Sequence, residues 1–198
     1  GESVYRYNFA NGIFKLYAAF DVAQFDLNQE SINTIEPTRV NLHNNNFYLN
    51  TSYKGNFGTQ WQLTSGISYG YSKNNIAIDR NELDNAENAV HLKLKLRKSF
   101  SDRLKWSFGA DYFITKFDET YAEYAGDTFN PGYDLNIGAV YSEFDIFFSK
   151  KLAAKAGARL SQNELLDETI VSPRISLAYK IAKNSQFSMA YGLFSQTP

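Results

Sequence analysis

Apolar and polar residues alternate without a break along the segment from Trp61 to Ser72. Its odd positions form a largely apolar set and its even positions a polar one: Trp61, Leu63, Ser65, Ile67, Tyr69 and Tyr71 against Gln62, Thr64, Gly66, Ser68, Gly70 and Ser72. Successive side chains of a β-strand point to opposite faces, so this period of two predicts a strand lying between an apolar medium and water. Similar segments of about ten residues recur almost to the end of the chain, which is typical of strands that cross a lipid bilayer.

The composition favours β-structure and excludes two classes of protein. Aromatic residues make up 16% of the 198 residues, whereas the chain has only 4 prolines, a balance that suits pleated strands. No stretch approaches the roughly 18 consecutive apolar residues of a spanning helix, which excludes a helical membrane protein. The net charge of -1 gives no general attraction to nucleic acid, so we expect no nucleic-acid partner.

Short turns and longer polar connections strictly alternate along the chain. The predicted short turns are Gly55 to Gly58, Ser99 to Asp102, Ser149 to Lys151 and Ala182 to Ser185. The predicted long connections are Asn28 to Leu42, Lys73 to Asn88, Asp118 to Pro131 and Gln162 to Ser172. Short turns on one rim and long loops on the other are typical of outer-membrane barrels.

Between these connections, the alternation of apolar and polar residues assigns each strand one apolar side, which is predicted to face lipid. The residues assigned to that side are Phe14, Leu16, Ala18, Phe20, Val22, Phe47, Leu49, Thr51, Tyr53, the odd positions from Trp61 to Tyr71, Val90, Leu92, Leu94, Leu96, Leu104, Trp106, Phe108, Ala110, Tyr112, Ile114, Leu135, Ile137, Ala139, Tyr141, Leu152, Ala154, Ala156, Ala158, Leu160, Ile175, Leu177, Tyr179, Ile181, Phe187, Met189, Tyr191 and Leu193. The positions between them carry most of the charge, namely Lys93, Lys95, Arg97, Lys105, Asp111, Lys155, Arg159, Arg174 and Lys180. The phase changes near Gln24 and at Glu143, and a β-bulge is the simplest cause.

A soluble sandwich or soluble barrel also alternates, but its strands average about five or six residues and its two ends carry comparable loops. The strands here are longer. Aromatic residues also gather near the strand ends, as the girdles at two membrane interfaces do: Tyr69, Tyr71, Tyr112, Phe113 and Phe117 toward the long connections, and Phe57, Trp61, Phe100 and Trp106 toward the turns. The predicted fold is all-β, an antiparallel up-and-down meander of about nine or ten long strands, part of a transmembrane outer-membrane β-barrel.

Two neighbouring strands near the C-terminal end carry a distinctive pair of motifs. These are Ser172-Pro173-Arg174 and, after a short turn, Tyr191-Gly192-Leu193-Phe194-Ser195-Gln196-Thr197-Pro198. The pair resembles the barrel of TonB-dependent outer-membrane receptors, where such motifs commonly occur together about midway through the barrel.

The resemblance implies a location in the bacterial outer membrane and import of a scarce nutrient, such as a siderophore, haem, cobalamin, an oligosaccharide or a peptide. Barrels of that family have about 22 strands around an N-terminal plug domain. Residues 1–198 are therefore expected to form a single wall segment without the plug. The implied partners are the lipid bilayer, the remainder of the barrel and its plug, the TonB energy-coupling protein and the nutrient.

The sequence assigns no catalytic, metal-binding or cofactor-binding residue, and we expect neither an enzyme nor a cofactor. His43 and His91 are the only histidines, and neither has a partner at metal-ligand spacing. The acidic sets Asp79, Glu82, Asp84 and Glu87, and Asp118, Glu119, Glu123 and Asp127, depart from calcium-loop spacing and are interpreted as solvated loops. The alternative is a small complete barrel with an omptin-like or lipase-like activity at a rim histidine, or with a structural or adhesive role.

Ligand-binding residues stay unassigned, but Lys93, Lys95 and Arg97 form a basic ladder on one side of a strand. Such a ladder can face an anionic solute or the plug. It can equally pair with neighbouring carboxylates, since barrel interiors are ordinarily polar and charged.

Overall fold

The computed structural model describes residues 1–30 and 37–194. These residues form one antiparallel sheet, with strands β1 (Glu2–Phe9), β2 (Gly12–Gln29), β3 (Thr38–Phe57), β4 (Trp61–Ile78), β5 (Asn81–Ser99), β6 (Leu104–Ala122), β7 (Thr128–Phe129), β8 (Gly132–Phe147), β9 (Leu152–Asn163), β10 (Glu168–Ala182) and β11 (Ser185–Gly192). Each strand pairs with the next in the chain, except that the two-residue β7 pairs only with β6 and β8 takes the next place beside β6. The predicted antiparallel meander of about nine or ten long strands is confirmed.

The four predicted short turns begin and end within three residues of the observed turns, but the predicted long connections Lys73 to Asn88 and Gln162 to Ser172 are mainly strand. β4 and β5 are joined by Asp79 and Arg80 alone, and β9 and β10 by residues 164–167. Asp79 has a left-handed backbone with φ of 55°, and its Oδ1 accepts a 2.7 Å hydrogen bond from the backbone N–H of Arg39. Residues 31–36 of the first predicted connection lie outside the described residues. The pattern predicts loops in the two strand-forming connections because these strand ends carry polar residues on both faces.

The two predicted phase changes are wrong. β2 pairs with β3 in unbroken register from Gly12 opposite Gly55 to Gln29 opposite Thr38. β8 pairs with β6 equally regularly, from Asp118 opposite Gly132 to Leu104 opposite Ile146. A register shift is found instead between β10 and β11, at Lys180 and Ala182.

The regular register of β8 corrects the facing of four residues. Directly opposed residues of an antiparallel pair share a face, and Val140 lies opposite Ala110, while Ala139 lies opposite Asp111. The even positions of β8 therefore share the apolar face, and Leu135, Ile137, Ala139 and Tyr141 lie on the polar face. The sequence misled because Asn136, Gly138 and Ser142, on the apolar face, are less hydrophobic than their neighbours.

The sheet is a single layer without the core of a soluble sandwich. Among the described residues, Ala139 is the only buried hydrophobic residue, and no large side chain is fully buried. Side chains such as Ile67, Val140, Ile175 and Met189 are more than half exposed on one common face. Exposed apolar surface on this scale marks a contact with another apolar phase, which supports the lipid-facing assignment.

None of the described residues forms a helix that is long and apolar enough to span a membrane.

Candidate functional site on the polar face

The polar face of β5, β6 and β9 carries a compact ionic group centred on Asp111. Its Oδ2 accepts a 2.6 Å hydrogen bond from Arg159 Nη1, and its Oδ1 lies 3.6 Å from His91 Nε2. The Asp111 side chain is only 8% exposed, and the His91 ring stacks on Phe113 with centroids 4.0 Å apart. Arg159 is two strands away from Asp111, so its guanidinium crosses β8 to reach the carboxylate.

A second ionic group lies closer to the short turns. Arg97 Nη2 donates a 2.7 Å hydrogen bond to Asp145 Oδ2, and Lys155 Nζ lies 3.4 Å from Asp145 and 3.6 Å from Glu143. Arg97 belongs to β5 and Asp145 to β8, with β6 between them. The residue of β6 opposite Arg97 is Ser107, which is 3% exposed. Its small side chain leaves room for the guanidinium to pass over.

These contacts divide the predicted basic ladder. Arg97 pairs with the Asp145 carboxylate, in agreement with the interpretation that the ladder pairs with neighbouring carboxylates. Lys93 and Lys95, in contrast, make no ion pair with any residue that the structure describes. Arg174 on β10 also makes no ion pair within the described ranges. Its guanidinium lies 5.0 Å from the Phe194 ring centroid.

Two cavities meet at Arg159 and Arg174 on the polar face. The first, of about 290 Å³, has apolar walls that include Phe113, Ile137 and Ile170. The second, of about 210 Å³, is lined by Lys93, Lys95 and Tyr141 among others. The first cavity was not predictable from the alternation pattern, because that pattern places Ile137 on the opposite face.

An amide ladder crosses β3, β4 and β5 at the end away from the short turns. Asn44 donates to Asn74, and Asn74 Nδ2 donates to Asn85 Oδ1 at 2.8 Å. Asn46 Nδ2 continues the network to Asp21 Oδ2 at 3.1 Å. Two of these strands were predicted to end before this ladder, so the sequence analysis missed it; a run of asparagines in phase with the strand was the available signal.

The two histidines lie on different faces. His91 points to the polar face, where it meets Asp111, whereas His43 shares the opposite face with Gln24 and Asn75. In the first acidic set, Asp79 lies in the β4–β5 turn, and Asp84 accepts a hydrogen bond from Asn75. Within residues 1–30 and 37–194, no three His, Asp or Glu side chains are grouped as a metal site would require.

Aromatic residues form a band on the apolar face next to the short turns. Phe57 stacks on Trp61 at 6.0 Å, and Trp106 contacts Phe144 at 6.1 Å. Lys98 lies in the same row, with Nζ 5.2 Å from the Trp61 centroid. Phe113 and Phe117, predicted for the opposite girdle, lie on the polar face instead, since both are opposed to polar-face residues of β5.

Comparison with known families gives a match over nearly the whole chain. The family described as TonB dependent receptor-like, beta-barrel matches residues 2–197. No curated protein matches the sequence.

Solved outer-membrane structures share the fold at low sequence identity. The transporter YddB from Escherichia coli superimposes with a TM-score of 0.78 at 12% identity, covering 96% of this chain and 31% of YddB. The alcaligin receptor FauA from Bordetella pertussis gives 0.69 at 12% identity, covering 92% of this chain and 32% of FauA. The RagAB peptide transporter superimposes with a TM-score of 0.73 at 8% identity, covering 96% of this chain and 32% of the RagAB chain. The chain thus spans about a third of the length of these proteins.

Proposed function

Because the chain belongs to the TonB-dependent receptor-like β-barrel family, whose members lie in the bacterial outer membrane, we propose that it is one stretch of the wall of a nutrient importer. Residues 1–198 then contribute strands to a larger barrel and contain no plug. The remainder of the barrel, the plug and the TonB protein are its proposed partners.

The observation that best supports import is the contrast between the two faces of the sheet. One face presents exposed aliphatic and aromatic side chains, and the other presents the ionic groups around Asp111 and Asp145. A barrel wall has an apolar outer face in contact with lipid and a polar inner face in contact with water. An interior with fixed charges suits a passage for polar solutes. YddB and RagAB are transporters and FauA is a receptor, and import by this chain's parent protein is in keeping with those roles.

A catalytic role has less support. Hydrolytic barrels need a base beside a nucleophile or an activated water. His91 is stacked on Phe113 and faces a carboxylate already bonded to Arg159, an arrangement that suits a structural polar group. His43, on the other face, lies opposite Gln24 and Asn75, neither of which is a nucleophile.

Import is tested by depletion of solutes from a complex medium. We expect cells that carry the full-length protein to remove specific compounds that cells without it leave behind, and this removal to stop when TonB is deleted. Depletion that persists without TonB would indicate a passive pore. Appearance of breakdown products outside the cell would instead favour the enzymatic alternative.

A further inference from the structure

The polar face holds positive charge that the described residues do not neutralise. Of the cations around the two cavities, Arg159 is bonded to Asp111 at 2.6 Å. Lys93, Lys95 and Arg174 make no ion pair in the described part of the chain. Three carboxylates also line the cavities. Asp111 is bonded to Arg159 and Glu143 lies 3.6 Å from Lys155, whereas Glu168 makes no ion pair within the described ranges and leaves the cations in excess.

The free cations lie on neighbouring rows of the sheet, and all three line the smaller cavity. Lys95 shares its row with Gly109, Tyr141 and Arg159 across β5, β6, β8 and β9. A Cβ at Gly109 would lie 2.6 Å from the Tyr141 hydroxyl, so the missing side chain lets the tyrosine ring lie across the strand toward Lys95. The smaller cavity thereby combines two ammonium groups, two guanidinium groups and a phenol hydroxyl, all of which can donate to an anion, with two carboxylates that are already paired.

The adjoining larger cavity adds apolar side chains and a hydroxyl group. Phe113, Ile137, Leu166 and Phe194 line it. Ser172, opposite Arg159, also lines it and is only 5% exposed. Its hydroxyl can donate a hydrogen bond to a ligand beside the basic cluster.

We propose that these two cavities form one subsite for an organic monoanion, a carboxylate attached to an apolar or aromatic group. The carboxylate binds Lys95, Lys93 and Arg174 in the smaller cavity. The apolar group enters the larger one between Phe113 and Ile137, where Ser172 donates a further hydrogen bond. Ligand sites of this kind combine mostly apolar walls with a few fixed polar groups. The subsite rests on the proposed import function, because it supplies the class of solute that the interior recognises.

Binding is tested on the purified full-length protein in detergent, with phenylacetate as the probe and calorimetry as the readout. We expect saturable binding of phenylacetate, and binding of its neutral isostere phenylacetamide to be weaker by roughly tenfold or more, as loss of a charge-assisted hydrogen bond implies. Equal affinity for the two compounds, or no saturable binding of phenylacetate, would overturn the proposal.

Variants locate the site. Lys95→Gln combined with Arg174→Gln should weaken phenylacetate binding by at least roughly tenfold, and Lys95→Arg combined with Arg174→Lys should retain most of it. Lys105→Gln is the matched control, since Lys105 is a cation of the same face that lies outside both cavities, with Nζ 5.7 Å from the Phe147 centroid. Unchanged binding in the double Gln variant, or an equal loss in the Lys105 control, would refute the site. The assay uses no TonB, so its result is independent of the depletion test of import.

Discussion

Substitution of Leu94 by arginine is expected to destabilise the embedded barrel by about 2 to 4 kcal/mol, the cost of a cation on the lipid face near the bilayer midplane. Leu94 lies near the middle of the apolar face, with Ser65 and Ala110 as its cross-strand neighbours. Its side chain is 47% exposed, so lipid is its main environment. The free energy of unfolding is measured by urea titration of the full-length protein in lipid vesicles.

The matched control is the adjacent position on the other face. Lys93→Leu removes a cation that has no ion-pair partner among the described residues, and we expect a much smaller change in the free energy of unfolding. Equal tolerance of Leu94→Arg and Lys93→Leu would contradict the assignment of faces. A larger loss for Lys93→Leu would reverse it.

Asp111→Leu is expected to cost about 2 to 3 kcal/mol, because it leaves the Arg159 guanidinium without its carboxylate. The figure is below that for a fully buried pair, since Arg159 is 25% exposed and the barrel interior is hydrated. The same urea titration measures the loss.

Two comparisons isolate the ion pair from other effects of this substitution. Asp118→Leu should change stability by less than about 0.5 kcal/mol, because Asp118 and its partner Lys116 are 61% and 59% exposed. Adding Arg159→Leu to Asp111→Leu should restore part of the loss, since no uncompensated charge is left. If Arg159→Leu further destabilised the Asp111→Leu variant instead of restoring stability, the broken ion pair would not be the cause of the loss in Asp111→Leu.

The period of two was sufficient to predict the strands, their order and most of their facing. It failed on β8 because the inner residues Leu135 and Ile137 are more hydrophobic than the outer Asn136 and Gly138. Facing in such a strand is decided by its register with β6, which the strand's own residues do not encode. A local pattern is reliable only where the two faces differ strongly in polarity.

Strand length and the polar-face contacts were harder to predict. The segment from Lys73 to Asn88 carries polar residues on both faces, a pattern that predicts a loop, yet cross-strand pairing continues through it to Ile78 opposite Asn81. The ion pairs Arg97 to Asp145 and Arg159 to Asp111 each join residues 48 positions apart. Such contacts follow from strand order and register together. The motif that carried the family resemblance is described only to Phe194, and Ser195 to Pro198 lie outside the described residues.

We propose that this chain is one stretch of a larger wall, with β1 and β11 at its two edges. In the described residues β1 pairs only with β2, and β11 only with β10. Edges left open in hydrocarbon would cost several kcal/mol for each unpaired backbone group. Other strands of the full-length protein are therefore expected to cover both edges.

Disulfide scanning in the full-length protein tests this claim most directly, since the chain has no cysteine of its own. Cysteine pairs join Tyr5 or Tyr7 on β1 to Phe187, Met189 or Tyr191 on β11, and the pair Val90 and Ile114, which are opposed on β5 and β6, is the positive control. We predict that the control pair cross-links under oxidation and that none of the edge pairs does. Cross-linking of an edge pair in a yield comparable to the control would mean that the chain closes on itself as a small barrel, and would contradict the account.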